Sequence, residues 1–197
     1  HFPCPDSYAW DLFSDYLYLF PVGFDVKILL FVMMPNHLHM VVRDPLGNLP
    51  FAMAYFMRET SREMGRVSKR INKVWGGPYH SSVIDSYLYF LQVYKYVYQN
   101  QTRAGLCKSV EDYDFSSLSI LLGKIQSVIP LETDDMLISD PAETLLWLNQ
   151  GYSIDEIQDL KGGLRNKKFR IRIRPETKKH SPLELWESFP RHIDKKN

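Results

Sequence analysis

The sequence predicts an α+β fold in which helices pack on an antiparallel sheet. The apolar segment 27–34 has the length of a buried strand, and segment 37–42 is rich in residues that favour strands. A Pro-Asn turn joins the two segments, which is typical of a β-hairpin. Segments with helical periodicity lie on both sides of this hairpin, and 45% apolar residues provide for a sizeable core.

The composition excludes several classes of protein. A net charge of +1 excludes a polycation, so any nucleic-acid site must be a local basic patch. The aromatic content of 14% can fill a core or offer ring faces for stacking bases. Cys4 and Cys107 are the only cysteines, which excludes a disulfide scaffold and a four-cysteine zinc site and predicts free thiols in a reducing compartment. Neither a signal peptide nor the roughly 20 apolar residues of a membrane span is found, so we expect a cytoplasmic protein.

Two helices are expected to flank the hairpin. The first covers residues 6–20 and buries the apolar side chains Trp10, Phe13, Leu17 and Phe20. The second covers residues 51–73 and is basic, with a net charge of +4. Its cations either flank a DNA path or form an ordinary solvated face. The four that we assign to DNA are Arg62, Arg66, Lys69 and Arg70.

The rest of the chain changes character along its length. We predict a short strand over 81–84, a helix over 86–102 that ends near Gly105, and a helix over 141–150. The segment 161–179 carries a net charge of +8. We place a boundary near residue 125, between a domain over 1–125 and a helical and basic extension over 126–197 that could bind DNA.

The segment 168–174 alternates apolar and basic residues. This alternation predicts a strand with Phe169, Ile171 and Ile173 turned inward. The outward residues are Lys168, Arg170, Arg172 and Arg174. They either grip DNA phosphates or form a charged edge that blocks strand-to-strand aggregation.

Two local patterns carry candidate chemistry. His37 and His39 project from the same face of a strand, where two imidazoles can hold a divalent metal. Tyr96 and Asn100 lie one turn apart on one helix face, and Arg103 extends this polar stripe. The alternative is that the histidines are an ordinary half-exposed pair and that Tyr96 is one more tyrosine of a tyrosine-rich helix.

Three blocks of the sequence resemble a known family. Residues 34–39, MPNHLH, closely resemble the MPNHxH signature of the single-tyrosine HUH transposases. Residues 96–106, YVYQNQTRAGL, resemble that family's YxxxNPxRAGL segment, and residues 112–117, DYDFSS, resemble its dYxwSS segment. The blocks occur in the family's order, and together they resemble the branch of REP-associated tyrosine transposases.

The resemblance implies a fold and an activity. The fold would be ferredoxin-like (RRM-like). The activity would be that of a metal-dependent endonuclease and strand transferase that cuts and rejoins single-stranded DNA near palindromic hairpins. His37, His39 and Asn100 would bind Mg²⁺ or Mn²⁺, and Tyr96 would attack the scissile phosphate to form a 5′-phosphotyrosine. Arg103 would contribute to DNA binding. The protein would act at the bacterial nucleoid, as a monomer or a homodimer, because the tyrosine can serve its own subunit or a partner.

The chain departs from the family pattern at two places. Gln101 stands where the family usually has proline, which changes how the helix end turns. Family members also begin with a strand before the first helix, whereas only five residues precede Asp6 here. Either the native start lies upstream or the sheet is completed in another way.

Two other functions compete with the implied one. A domesticated descendant could bind hairpin DNA through its basic segments without cutting it. A phosphodiesterase that uses water would need more acidic ligands near the histidines than the sequence offers. Covalent protein–DNA adducts distinguish the first function from both alternatives.

Overall fold

The computed structural model describes residues 1–69, 74–171, 181, 183, 189 and 190. The chain divides into two packing units, one made of His1–Tyr79 with Glu111–Thr133 and the other of His80–Val110 with Asp134–Asn197. The predicted boundary near residue 125 concerns functional domains, which packing does not test, and it stays a prediction.

The elements of the described residues follow in chain order. They are α1 (Asp6–Leu17), α2 (Leu19–Phe24), β1 (Lys27–Met34), β2 (His37–Arg43), α3 (Leu49–Ser68), α4 (Tyr87–Tyr98), α5 (Asn100–Arg103), a 3₁₀ turn (Val110–Asp112), α6 (Ser117–Leu121), α7 (Asp135–Ser139), α8 (Pro141–Asn149) and α9 (Ile154–Leu164). This mixture of helices with an antiparallel pair of strands confirms the α+β class.

The predicted hairpin is present in the first unit. β1 and β2 pair antiparallel, with Met34 opposite His37 and Val32 opposite His39. β1 is almost wholly buried, as expected for its continuous apolar run, whereas β2 is half-exposed. The hairpin therefore presents β2, with both histidines, as the more accessible strand.

The edge of β1 opposite β2 is occupied by the segment that resembles the dYxwSS block. The Met33 amide donates a hydrogen bond to the Phe115 carbonyl oxygen over 2.9 Å. The Tyr113 hydroxyl donates to the Met33 carbonyl oxygen over 2.8 Å, and the Phe31 amide donates to the Ser117 hydroxyl over 2.9 Å. These bonds satisfy backbone groups that a bare strand edge would leave unpaired. In this unit, residues 113–117 therefore stabilise the edge of the sheet through hydrogen bonds to β1.

The predicted first helix is divided in two. Pro21 has no N–H to donate to the Leu17 carbonyl oxygen, so α1 ends at Leu17 and the short α2 follows it. Pro21 is tolerated in the first turn of α2, where an N–H has no partner within the helix. The four predicted apolar residues are all buried, which confirms the face that packs inward: Trp10, Phe13, Leu17 and Phe20.

The second unit is built around α4, whose residues from Leu91 onward are buried. The predicted helix 86–102 is interrupted at Gln99, between α4 and α5. The Gln99 amide Nε2 donates hydrogen bonds to the carbonyl oxygens of Leu148 at 2.6 Å and Gln150 at 2.7 Å, and so binds this point to the end of α8. The predicted helix 141–150 is confirmed as α8.

The helix α9 is an element that our sequence analysis missed. It begins with a capping box, in which the Ser153 hydroxyl accepts from the Glu156 amide and the Glu156 carboxylate accepts from the Ser153 amide. This Ser-x-x-Glu pattern was readable in the sequence. The glycine pair 162–163 hid the helix, because glycine is a poor helix former.

The predicted strand 168–174 is wrong over its described part. Lys168 forms one isolated parallel bridge with Val83, and no strand continues through Ile171. The predicted partner strand 81–84 is likewise reduced to that single bridge at Val83. Phe169 and Ile171 are buried, as predicted, and the third predicted inward residue, Ile173, lies outside the described residues. A Cβ on Gly163 would fall 2.7 Å from the Phe169 ring, so this ring packs directly on the glycine.

The remaining expectations concern thiols and membranes. Cys4 and Cys107 are thiols and are not joined in a disulfide, as predicted. Within the described residues, helices of sufficient length are too polar, and apolar ones too short, to cross a bilayer.

Candidate functional site

The two histidines of the first unit converge at their Nε2 atoms. His37 and His39 project from the same face of β2, because side chains two residues apart in a strand point the same way. Their Nε2 atoms are 3.1 Å apart, and their rings are nearly perpendicular with centroids 4.9 Å apart. Both rings therefore direct a nitrogen to one point.

The neighbouring Asn36 orients the first imidazole. Its Oδ1 lies 2.6 Å from His37 Nδ1 and accepts a hydrogen bond from the Nδ1–H group, so Nε2 of the neutral ring carries the free lone pair. This arrangement is typical of metal-binding histidines, whose second nitrogen usually donates to a protein acceptor. Partial desolvation lowers the pKa of the His37 imidazole, and the lowered pKa favours the neutral form that binds metal. Asn36 was not predicted as a site residue, although it stands inside the MPNHLH block.

The geometry of the pair fits adjacent ligands of a divalent ion. Two metal–ligand bonds of about 2.1 Å at a right angle place their donor atoms about 3.0 Å apart, close to the observed 3.1 Å. A metal needs both lone pairs, so the His39 proton that now faces His37 would move to Nδ1. Among the described residues, no group of three or more histidine, cysteine, aspartate or glutamate side chains could hold a metal. A third protein ligand from the described residues would therefore be of another type, such as an amide.

We expect Asn36→Ala to weaken metal binding at the histidine pair by about 10- to 100-fold, the usual cost of losing a residue that orients a metal ligand. The fold should be unaffected, because Asn36 is exposed in a turn. Isothermal titration calorimetry with Mn²⁺ measures the affinity of both proteins. Asn48→Ala is a control asparagine of the same unit, whose amide Nδ2 donates to the Phe24 carbonyl oxygen. Equal Mn²⁺ affinity for the wild type and Asn36→Ala would contradict this role.

The second unit brings together the other predicted site residues. The Arg103 guanidinium lies over the Tyr96 ring, with its central carbon 4.3 Å from the ring centroid. Arg103 Nη2 donates to Asn100 Oδ1 over 2.6 Å and to the Tyr96 carbonyl oxygen over 3.3 Å. Tyr96, Asn100 and Arg103 thus form one cluster, which we call the tyrosine cluster.

The tyrosine cluster modifies both predicted roles. Tyr96 is buried, with 5% of its surface exposed, and burial raises the pKa of its phenol while the Arg103 charge lowers it. Asn100 Oδ1, the proposed ligand atom, already accepts a hydrogen bond from Arg103. A metal on this oxygen would therefore share it with Arg103 or displace the guanidinium.

Gln101 occupies the position where the family has proline. Its side chain is buried, and its Nε2 donates to the Val110 carbonyl oxygen over 3.4 Å. Within the described part of the chain, its Oε1 has no hydrogen-bond partner. The departure from proline therefore leaves the tyrosine cluster in place and costs an unsatisfied acceptor beside it.

Three of the four cations predicted to bind DNA around α3 are described and exposed, and two of these three are paired. Arg62 contacts Glu59 at 2.5 Å and Arg66 contacts Glu63 at 3.0 Å, and both ion pairs lie within α3. Lys69 is exposed just after the helix, and Arg70 lies outside the described residues. The Arg66–Glu63 pair is partly exposed and therefore weak, so a DNA phosphate can replace it, whereas the Glu59 carboxylate that contacts Arg62 is buried. DNA binding by this face stays a prediction.

The two described cations of the predicted C-terminal DNA-binding set contact one acid. Arg170 binds Asp85 through two hydrogen bonds of 2.5 and 2.7 Å, and Lys168 forms a second ion pair with the same carboxylate. These partners hold the pKa of Asp85 well below its usual range. Part of the positive charge is therefore compensated within the unit, and DNA binding by these two residues stays a prediction. Arg172 and Arg174 lie outside the described residues.

Lys95 is a buried cation that our sequence analysis did not single out. Its Nζ lies 5.2 Å from the Trp147 ring centroid and 4.8 Å from the Tyr152 ring centroid. Burial lowers the pKa of Lys95 to about 8, against a smaller opposite effect of Glu156. The two aromatic faces partly compensate for the lost water.

We expect the free energy of unfolding to rise with pH through this lysine. The folded state loses the Lys95 proton near pH 8, whereas the unfolded chain keeps it to about pH 10.5, so the unfolded state binds more protons in between. Between about pH 7.5 and 9.5 the gain is about 2 kcal/mol. Urea unfolding at both pH values should show that Lys95→Met loses most of this rise. The control Lys167→Met changes an exposed lysine and should keep it; a rise that persists in Lys95→Met would contradict the assignment.

Comparison with known proteins adds no relative. No protein-family model matches the chain. No curated protein and no solved structure matches it either. The family resemblance therefore rests on the three sequence blocks, and the function has to be argued from the side chains.

Proposed function

We propose that this chain is a metal-dependent single-stranded DNA endonuclease and strand transferase. It would cut and rejoin DNA near palindromic hairpins through a 5′-phosphotyrosine on Tyr96. The observation that carries the proposal is the pair of histidine Nε2 atoms 3.1 Å apart, with His37 oriented by Asn36. Such a pair is of use to a phosphoryl-transfer enzyme and of little use to a protein that only binds DNA.

The proposed metal ligands are His37, His39 and Asn100. Two imidazoles and an amide oxygen suit Mn²⁺ at least as well as Mg²⁺, because imidazole is a softer ligand than the oxygens that Mg²⁺ prefers. When bound, the ion would polarise a non-bridging oxygen of the scissile phosphate and neutralise its developing charge.

The chain's own residues would perform the covalent step. Tyr96 Oη forms a bond to phosphorus as the bond from phosphorus to the 3′ oxygen breaks. The phenol proton passes to solvent, and the 3′ oxygen leaves as a hydroxyl after taking a proton from solvent. Arg103 holds one face of the ring and favours the phenolate through its charge. Because the phosphodiester energy is kept in the phosphotyrosine, the same residue can rejoin the ends.

The finer fold assignment belongs to the same proposal. We propose that the hairpin of β1 and β2 is part of a ferredoxin-like sheet. The support is the antiparallel pairing, the α1 and α3 helices packed in the same unit, and the histidine pair on β2. An experimental structure would test it, and a sheet made of β1 and β2 alone would contradict it.

A second candidate is a protein that binds hairpin DNA without cutting it. The burial of Tyr96 favours this candidate, since a nucleophile must reach its substrate. Under the first proposal, DNA must therefore uncover the phenol.

The deciding experiment offers the full chain a hairpin oligonucleotide with a single-stranded flank. With Mn²⁺ or Mg²⁺ we expect a denaturant-resistant adduct and a free 3′-hydroxyl end, and with EDTA neither. Digestion and mass spectrometry should place the nucleotide on Tyr96. Tight hairpin binding without any adduct would select the second candidate instead.

A further inference from the structure

The second unit contains a cavity of about 180 Å³ beside the tyrosine cluster. One side of it is formed by the end of the α4–α5 segment, and the other by the loop between α8 and α9 with the first turn of α9. Its walls are Gln99, Thr102, Arg103, Lys108, Asn149, Gly151, Tyr152 and Ile157. These walls include two cationic side chains and no carboxylate.

Arg103 belongs to the tyrosine cluster and to the wall of this cavity. Its Nη2 is used by Asn100 and by the Tyr96 carbonyl oxygen. Its Nη1 is buried and has no hydrogen-bond partner in the part of the chain that the structure describes. A buried N–H group without a hydrogen-bond partner is costly, and an anionic ligand in contact with Nη1 would remove this cost.

The size and chemistry of the cavity select the ligand class. Pockets for drug-sized molecules span roughly 300–1,000 Å³, so a cavity of about 180 Å³ takes a smaller group. Arg103 offers planar donors and the exposed Lys108 a mobile ammonium, and both bind phosphate well. The Thr102 hydroxyl lines the same space and can accept or donate a further hydrogen bond.

We propose that this cavity binds a backbone phosphate of the DNA strand, next to the phosphate that Tyr96 attacks, with Arg103 and Lys108 as its cations. The inference rests on the proposed function, because Arg103 would then link the bound phosphate to the ring of the nucleophile. A strand anchored here would be held in register relative to Tyr96, which is the usual role of phosphate contacts.

The first test uses inorganic phosphate as the probe and does not depend on cleavage. Lysine acetylation of the full chain, read by mass spectrometry at constant ionic strength, should slow several-fold at Lys108 when phosphate replaces chloride. The exposed Lys167 of the same unit lies outside the cavity and should react equally in both salts. Equal reactivity of Lys108 in phosphate and chloride would overturn the proposal.

The second test identifies DNA as the source of the phosphate. Lys108→Gln should weaken hairpin binding roughly tenfold and make its salt dependence shallower by about 0.7 in slope, the value of one single-strand phosphate contact. A methylphosphonate that neutralises the neighbouring phosphate should weaken binding to the wild type, but should add little to Lys108→Gln. Protection by inorganic phosphate with unchanged DNA binding in Lys108→Gln would show a site for a free anion and would overturn the DNA assignment.

The two proposals fail in different ways. If phosphate protects Lys108 and the DNA tests succeed but no adduct forms, the cavity is a DNA site of a non-cleaving protein. If the adduct forms while Lys108→Gln and the methylphosphonate change nothing, the nuclease stands and the cavity proposal is refuted.

Discussion

Tyr96→Phe is expected to abolish the covalent protein–DNA adduct and to leave hairpin binding intact. The substitution removes the one oxygen that can attack phosphorus. The ring remains, so the Arg103 guanidinium keeps the aromatic face that it now covers at 4.3 Å. Because only a hydroxyl is lost from a buried ring, the free energy of unfolding should change by no more than about 1–2 kcal/mol. Denaturing electrophoresis with a labelled hairpin measures the adduct, and fluorescence anisotropy measures binding.

Tyr89→Phe is the matched control for this experiment. Tyr89 lies on the same helix and is also covered by a guanidinium, with the Arg170 central carbon 5.7 Å from its ring centroid. This variant loses the same atom from a half-buried tyrosine that also contacts a guanidinium, and it should form the adduct at the wild-type level. An adduct with the Tyr96→Phe protein, or its loss in Tyr89→Phe, would assign the nucleophile elsewhere.

If hairpin DNA uncovers the Tyr96 phenol, the chemical reactivity of that phenol should change when DNA binds. The phenol is buried in the structure, so nitration by tetranitromethane should be slow at Tyr96 and should accelerate when hairpin DNA and Ca²⁺ are bound without cleavage. Unchanged nitration would favour the non-cleaving candidate.

His37→Ala is expected to remove the divalent-ion dependence together with cleavage. One imidazole cannot hold the ion that the facing Nε2 atoms would share, so the cleavage rate should fall at least about 1,000-fold, as when a preorganised electrostatic group is lost. Hairpin binding should fall little, because positioning comes from phosphate and base contacts elsewhere. His37 is exposed, so the stability should change by about 0.5 kcal/mol or less. Initial rates against Mn²⁺ concentration measure the effect, and EDTA should reproduce it in the wild type.

His80→Ala is the control for the loss of an imidazole. His80 is also exposed, and it bonds the Leu164 carbonyl oxygen at 2.8 Å in the second unit, outside the histidine pair. It should retain the wild-type Mn²⁺ response. Full cleavage by His37→Ala, or by the wild type in EDTA, would remove the metal from the mechanism.

Local sequence determined the parts of this protein that depend on neighbours in the chain. The hairpin could be predicted, together with the shared face of its two histidines, because strand periodicity and a Pro-Asn turn are properties of a few adjacent residues. The inward face of the first helix followed in the same way from the spacing of Trp10, Phe13, Leu17 and Phe20. His37 and His39, and likewise Tyr96 and Asn100, could be paired because they lie within one turn or one pleat.

Tertiary structure decided what depends on groups distant in the chain. At the break between α4 and α5, the Gln99 amide Nε2 donates to the carbonyl oxygens of Leu148 and Gln150, and no periodicity within 86–102 encodes those partners. Lys168 and Arg170 were predicted as outward cations of a strand, but Asp85, more than eighty residues earlier, binds both. The edge of β1 is paired by residues 113–117, and the phosphate-sized cavity needs side chains from both 99–108 and 149–157. The physical reason is common to all of these features: ladder partners, ion pairs and cavities form between surfaces, and the sequence order states which residues carry the groups without stating which surfaces meet.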